Sequence, residues 1–314
     1  MHRSGFVVVL GKPNAGKSTL INALVGEKVA IVSPQPQTTR SRLRGILTRP
    51  DAQIVFVDLP GVHEPRHRLG QAMMETARQA IPDADVLLCL VDVSRPPTAE
   101  DEAVVALAVA CPSPRLLVGN KADSLAREKV DAAFARYRAL GTFDGYLLIS
   151  ALKNKNLDLL LDAILERLPE GPTYYPADDF TDQPGQQMAA ELIREQVLRQ
   201  TRQEVPHGVA VVVEEWKQRR PDLTDIAATI YVEKESHKAI VIGRGGEILG
   251  RIGAAARPEI EALAGTQVFL QLWVKVAKEW RDDPAAVKRF GYGDTGGTAG
   301  SRRSAQNPSD SRRS

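Results

Sequence analysis

The chain has 314 residues, 43% of them hydrophobic and 25% charged, with a formal net charge of +2. That length suits about two domains, and the mixture is that of a globular protein, not of a disordered or collagenous one. A net charge so near zero carries no general attraction to nucleic acid, so any basic surface must be local. Two cysteines, Cys89 and Cys111, with no CxxC pair exclude a disulfide framework and a zinc cluster. The apolar run 6–10 is too short for a signal-peptide core, and no run approaches the roughly 18 apolar residues of a membrane span, so a cytoplasmic protein is expected.

In chain order, residues 1–170 alternate short apolar runs with helical patterns. Residues 6–10, 53–58, 85–92, 115–120 and 146–150 are mostly rich in Val, Ile and Leu, as strands buried on both faces are. Amphipathic stretches such as 121–140 lie between them. This alternation predicts an α/β domain, a doubly wound parallel sheet with right-handed crossovers, and residues 44–48 add a candidate antiparallel edge strand. The proline-rich run PEGPTYYPADDFTDQP (169–184) has no periodicity, and residues 171–185 read as a linker.

A second, α+β domain is expected over 186–290. Its first helix is 187–203, where Met188 with Leu192 and Ile193 with Val197 stack at i, i+4; Glu191, Arg194, Glu195 and Arg199 are then mostly outward. Strands are expected at 209–216 and 226–233, followed by a helix, a GRGG loop, another helix and a last strand at 268–276. Trp273 reads as core, and Trp280 is undecided. The tail 291–314 is Gly, Ser and Arg with little to bury, and disorder is expected.

The strongest chemical signal is Gly11, Lys12, Pro13, Asn14, Ala15, Gly16, Lys17 and Ser18, followed by Thr19. It fits GxxxxGK[ST] directly after a strand and at the opening of a helix, the context that marks a P-loop. Its glycines let backbone N–H groups surround phosphates at a helix N-terminus. Lys17 would reach the β- and γ-phosphates, and Ser18 would offer a hydroxyl to Mg2+. Asp58, Leu59, Pro60 and Gly61 follow a strand; the Asp58 carboxylate suits Mg2+ through water, and Gly61 a backbone N–H near the γ-phosphate. Asn120, Lys121 and Asp123 also follow a strand. Asp123 can accept two hydrogen bonds from guanine, where adenine would leave the carboxylate unpaired, so the nucleotide is GTP or GDP. Asn120 can tie this loop to the P-loop. At Ser150, Ala151 and Leu152 a backbone N–H could meet the guanine O6. Thr38 and Thr39 compete to complete the metal shell when a γ-phosphate is bound, and Thr39 is favoured.

One absence matters. Val62 stands where many small GTPases carry the glutamine that positions the attacking water. Slow intrinsic hydrolysis or another positioning device follows, and a passive RNA-holding protein stays open as an alternative. Asn14 could help hold K+ beside the phosphates.

In the second domain, Gly243, Arg244, Gly245 and Gly246 form a GxxG loop between two helices, in the order helix, two strands, helix, GxxG, helix, strand. Glycines there let a nucleic-acid backbone approach closely. From Lys234 to Arg281 there are eight Lys/Arg against five Asp/Glu. His237, Lys238, Arg244 and Arg251 are the nearest candidates for phosphate contact.

Taken together, GKPNAGKS, QTTR, DLPG, NKAD and SAL, then ELIREQVL, YVEKESHKAIVIGRGG and LQLWVKVAKEW, resemble the Era family of bacterial ribosome-assembly GTPases over residues 5–293. The resemblance implies a GTPase domain followed by a type-2 KH domain that binds the 3′ end of 16S rRNA in the maturing 30S subunit, with the GTP state favouring binding. It also implies a peripheral association with the cell membrane. Leu59 departs from the usual DTPG motif, and the tail lies outside the resemblance.

Overall fold

The computed structural model describes residues 2–292 apart from 36, 63, 66, 203 and 204. Most of the tail expected to be disordered, from residue 293 on, lies outside the described residues. Gly291 and Tyr292, assigned to that tail, are part of the fold, with Tyr292 buried.

The first domain is a six-stranded sheet in the order β2-β3-β1-β4-β5-β6. Its strands are β1 (Arg3–Leu10), β2 (Leu43–Arg49), β3 (Ala52–Asp58), β4 (Val86–Asp92), β5 (Arg115–Asn120) and β6 (Gly145–Leu148). All pairs are parallel except β2 with β3, so residues 44–48 do form an antiparallel edge strand. From β1 the chain goes out to the β2 edge and returns through β3, then crosses to β4 on the other side of β1 and runs outward to β6. The loop after β1 therefore sits at the reversal of strand order, where open α/β sheets leave a crevice.

Two apolar layers cover the sheet. On one side α1 (Lys17–Val25) and α5 (Leu157–Leu165) pack on Val7, Val9, Ile54 and Leu88. On the other, α2 (Arg68–Ala80), α3 (Ala99–Val109) and α4 (Arg127–Arg138) pack on Val8, Leu10, Val57 and Cys89. The helix expected over 121–140 begins only at Arg127, after a short turn at Ala122–Ser124, because Lys121 takes φ +63° and breaks the helical path.

Residues 171–185 are not a free linker. Backbone N–H groups of Tyr174 and Tyr175 donate to Gln53 Oε1, the Phe180 carbonyl accepts from Ile46, and Arg44 pairs with Asp182 at 2.5 Å. The segment is strapped along the β2–β3 edge of the first domain.

The second domain opens with α6 (Gly185–Gln200), then β7 (Ala210–Arg220), β8 (Leu223–Val232), α7 (Glu235–Ile242), α8 (Glu247–Ala264) and β9 (Gln267–Val276). β7 and β8 are antiparallel and β8 and β9 parallel. The three helices cover one face of this sheet, with Ile193, Val197, Ile230, Val241, Ile252 and Ile260 at the centre. A last helix, α9 (Pro284–Arg289), which the sequence pattern does not announce, packs with Trp280, Phe290 and Tyr292 against Leu69 and Met73 of α2. Trp280 is fully buried, and its indole N–H donates to the Gly208 carbonyl at 2.9 Å.

Two placements correct the sequence-based expectation. Arg194 and Glu195 are not outward; both are completely buried, because α6 meets its own core on one face and the first domain on the other. Trp273 is not core. It is 45% exposed beside Phe269 on the sheet face away from α6, α7 and α8, since residues 269, 271, 273 and 275 alternate outward while Val268 and Val274 point to the helices.

Candidate nucleotide and RNA-binding sites

The glycine-rich loop joins β1 to α1, and Gly16 at φ +97° makes the turn. A Cβ on Gly16 would collide with Asn120 Nδ2, so the guanine-side loop closes on the phosphate loop only over a glycine. Asn120 then does what its position suggested. Its Nδ2 donates to the Ala15 carbonyl at 2.9 Å, and its Oδ1 accepts the Ala151 N–H at 3.0 Å. One buried amide thus ties three segments together. Because the Ala151 N–H is engaged, the exposed Leu152 is the member of the Ser150–Leu152 turn whose N–H stays open to a base. Lys121 bridges back too, donating to the Asn14 carbonyl at 2.8 Å and to Asp92 at 2.7 Å. Asp123 stands exposed on the turn that follows.

On the phosphate side Lys17 is buried, and its ammonium donates to the carbonyls of Gly11 and Lys12. Burial presses its pKa down, against the pull of Asp58. Lys12 anchors the loop from outside through Asp101 at 2.6 Å, at the start of α3. Pro13 backs on Gly61, where a Cβ would lie 2.6 Å from the proline nitrogen. The Val62 N–H donates to the Gly11 carbonyl at 3.2 Å, while its side chain is buried in the core beside Leu59 and Met74. Position 62 therefore presents no group to an attacking water.

Three oxygen-bearing side chains converge. Ser18 Oγ lies 2.7 Å from Asp58 Oδ2 and 2.9 Å from Thr39 Oγ1, and Thr39 Oγ1 lies 3.2 Å from the same carboxylate oxygen. Asp58 Oδ1 is buried without a hydrogen-bond partner among the described residues. Burial raises the Asp58 pKa, opposed by Lys17 and the two hydroxyls. Hydroxyl and carboxylate oxygens around an orphaned carboxylate oxygen suit Mg2+, a hard cation that takes oxygen ligands and keeps several waters. Of the two threonines, Thr39 is in this group; Thr38 Oγ1 turns away to the Gln35 carbonyl. Asn14, at φ +62°, donates from Nδ2 to the Pro34 carbonyl at 3.1 Å.

In the second domain the GxxG loop is open. A Cβ added at Gly245 (φ +59°) or Gly246 (φ +85°) would meet nothing within 4 Å, whereas Gly243 is tight against Ile248. Arg244 and Arg251 are exposed and Lys238 half-buried, and none of the three is ion-paired among the described residues. Ile240 is 45% exposed on the last turn of α7, an apolar patch beside the loop. His237 is a correction: it is buried on the inner face of α7 and is not placed for phosphate contact.

The joint between the domains was invisible in sequence. Arg40, Arg194, Glu195 and Lys28 build it, and Lys28 bridges Glu195 on α6 and Glu259 on α8. Charged residues on a helix facing a second domain have the same pattern as charged residues facing water.

Comparisons with known proteins decide the family. A 50S ribosome-binding GTPase family model matches residues 6–121, and a KH-domain model matches residues 204–281. The GTPase Era of Heliobacterium modesticaldum is 45% identical over 290 residues, 92% of this chain and 97% of that protein. The chain belongs to the GTPase Era family. The GTPase Era of Caldicellulosiruptor saccharolyticus is 46% identical over 292 residues, 92% of this chain and 97% of that protein. A crystal structure of Era with MgGDPNP and nucleotides 1506–1542 of 16S ribosomal RNA aligns with TM-score 0.90 and 40% identity, over 93% of this chain and all of that one. A single-substitution variant of Aquifex aeolicus Era bound to GDP and aluminium fluoride aligns with TM-score 0.89 and 39% identity, over 93% of this chain and 99% of the other. This Era-family chain is thus a GTPase built of a P-loop domain and a KH domain.

Proposed function

We propose that this GTPase binds the 3′ end of 16S rRNA through its KH domain and serves 16S rRNA processing and assembly of the 30S subunit, with GTP favouring the RNA-bound form and hydrolysis favouring release. The observation that carries the reading is the coincidence, in one chain, of the Ser18–Thr39–Asp58 cluster with an open GxxG loop flanked by Lys238, Arg244 and Arg251, none of them ion-paired among the described residues. The solved relative that holds MgGDPNP and 16S rRNA together, matched along 93% of this chain, supports it.

On this reading Mg2+ is held by Ser18 and Thr39 with Asp58 close by, supplies charge stabilisation to the phosphates, and is bound most completely with GTP. Phosphoryl transfer depends on positioning and electrostatics, which these residues provide. The K+ reading rests on Asn14, which stands in the phosphate loop with its Nδ2 donating to the Pro34 carbonyl. Equal turnover in K+ and Na+ would remove that cation. The protein works in the cytoplasm, where subunits mature, and its peripheral membrane association rests on the family resemblance; no helix among the described residues is long and apolar enough to cross a membrane.

The test is binding of a 3′-terminal 16S oligonucleotide with GDP and with a non-hydrolysable GTP analogue. Tighter binding with the analogue is expected, together with an equal factor by which RNA tightens the analogue, because coupling is reciprocal. Equal RNA affinity in both states would defeat the switch, and no binding would defeat the choice of RNA.

A further inference from the structure

Thr39 is the middle residue of a tripeptide whose two neighbours are both fastened to the KH domain. On one side the main-chain carbonyl of Thr38 accepts from Arg194 Nη2 on α6. Arg194 is wholly buried and braced by Glu191, with Nε to Oε1 at 2.8 Å and Nη2 to Oε2 at 2.5 Å. On the other side the Arg40 side chain crosses in the opposite direction. It is 3% exposed and donates to the carbonyls of Val209 at 2.5 Å, His207 at 2.9 Å and Pro206 at 3.3 Å. Its guanidinium also lies over the rings of Trp280 and Tyr292, at 5.8 and 5.5 Å. The same loop is stapled further back, where the Val32 N–H donates to Glu195 Oε1 at 2.9 Å and Lys28 pairs with Glu195 and Glu259.

These contacts offset the burial of Arg40, and they also fix its position. Arg40 is buried with no carboxylate ion pair among the described residues, and its Nε has no acceptor. Removing a guanidinium from water costs several kcal/mol unless its donors are met, and apolar residues of similar volume often serve a joint as well. What a planar, multi-donor charge supplies is placement. Among the described residues neither arginine hydrogen-bonds a residue of the phosphate loop, and the route the contacts offer from them to the Ser18–Asp58 cluster runs through the 38–40 backbone and Thr39.

We propose that Arg194 and Arg40 are positioning residues for GTP hydrolysis, through which the docked KH domain sets the Thr39 hydroxyl in the magnesium shell. The rate of hydrolysis then depends on how the KH domain sits. This rests on the reading of Thr39 as a metal ligand given above, and the test separates the two.

The experiment is GTP hydrolysis by the full chain, recorded as kcat, KM for GTP and the Mg2+ concentration giving half-maximal rate, with a melting temperature for every variant. The variants are Arg194→Gln, Arg194→Lys, Arg40→Lys, Thr39→Ala and the Thr39→Ala/Arg194→Gln double. A ligand displaced by about 1 Å can cost on the order of 100-fold in rate. Arg194→Gln and Arg40→Lys are each expected to lower kcat roughly 10- to 100-fold and to raise the Mg2+ requirement, with KM for GTP moving by about twofold or less. Arg194→Lys keeps the charge facing Glu191 and one donor for Thr38, and is expected to recover part of the rate. In the double variant, loss of Arg194 should add nothing to loss of Thr39, since the arginine acts through it.

Wild-type kcat and Mg2+ requirement in folded Arg194→Gln and Arg40→Lys, or losses that multiply in the double variant, overturn the inference. Should Arg194→Gln melt below the assay temperature, the two lysine variants decide, and wild-type kinetics in both overturn it. Thr39→Ala with an unchanged rate and Mg2+ requirement overturns the metal reading instead; an impaired Thr39→Ala beside unimpaired arginine variants overturns this inference alone.

Discussion

At the nucleotide site the functional side chains hold one another. Ser18, Thr39 and Asp58 share hydrogen bonds, and Asn120 spans Ala15 and Ala151. At the GxxG loop the candidate side chains make no ion pair among the described residues: Arg244 and Arg251 stand in solvent, and the shape is set by backbone dihedrals at Gly243, Gly245 and Gly246. The difference follows from the ligands. Phosphoryl transfer needs donors fixed before the substrate arrives, so a substitution propagates from one loop to the next. A nucleic-acid backbone is bound by charge and close approach, so a substitution there acts locally and leaves the fold alone.

The sharpest way to probe the interlocked side is Asp123→Asn. The carboxylate offers guanine two charge-assisted hydrogen bonds, each worth about 1.5–3 kcal/mol. Their loss should raise the Kd for GTP by roughly 100- to 10,000-fold. The new amide can donate to the carbonyl that xanthine carries in place of the guanine amine. XTP should therefore outcompete GTP on the variant in a displacement assay; retained guanine preference would mean that another group reads the base. Next in size is Trp280→Ala. Its indole is 1% exposed, packs on Phe290 and Tyr292, and lies under Arg40. Truncating such a side chain costs about 3–5 kcal/mol, which urea unfolding measures. A loss under about 1 kcal/mol would show that the joint contributes little to the stability of the chain.

Much of this organisation is legible in the sequence because it is local. Strand runs of Val and Leu, a glycine pattern between strand and helix, and NKAD after an apolar run each state their structure within a few residues, and the element order marks the KH fold. What is not legible depends on contacts distant in the chain. Arg194 and Glu195 read as solvent-facing because the surface they meet, residues 28–40, lies more than 150 positions earlier. Trp273 reads as core because strand alternation tells which residues share a face but not which face is covered. The choice between Thr38 and Thr39 needed the third dimension, since both stand in the same loop and only one turns toward Asp58.

On the open side, Gly245→Asp should leave the fold in place. The position has φ +59°, which Asp tolerates better than most residues, and a Cβ there meets nothing. A carboxylate in the path of an RNA backbone should weaken oligonucleotide binding about 10- to 100-fold, equivalent to about 1.4–2.8 kcal/mol, with hydrolysis of GTP in the absence of RNA unchanged. Arg244→Ala is the milder version. If its guanidinium neutralises one phosphate, the dependence of log affinity on log salt should flatten by about 0.7. An unchanged slope would move the phosphate contact to Lys238 or Arg251.

The smallest expected effect tests where the open side ends. Phe269 and Trp273 are exposed on the sheet face away from α6, α7 and α8, beyond the part that α9 covers at Tyr231, and aromatic rings on a sheet are a surface on which bases can stack. The charges beside them argue against that use, because Arg219 faces Asp225 at 3.6 Å and Lys275 faces Glu214 at 3.9 Å, which leaves little field for phosphates. Trp273→Ala should therefore change stability by about 1 kcal/mol or less, as partly exposed positions do, and should not move RNA affinity or its salt dependence. A fall in affinity as large as that of Gly245→Asp would extend the RNA surface around β9 to the back of the sheet. The comparison would then lie between an interlocked nucleotide site and a KH domain bound on two faces, with stacking added to backbone contact.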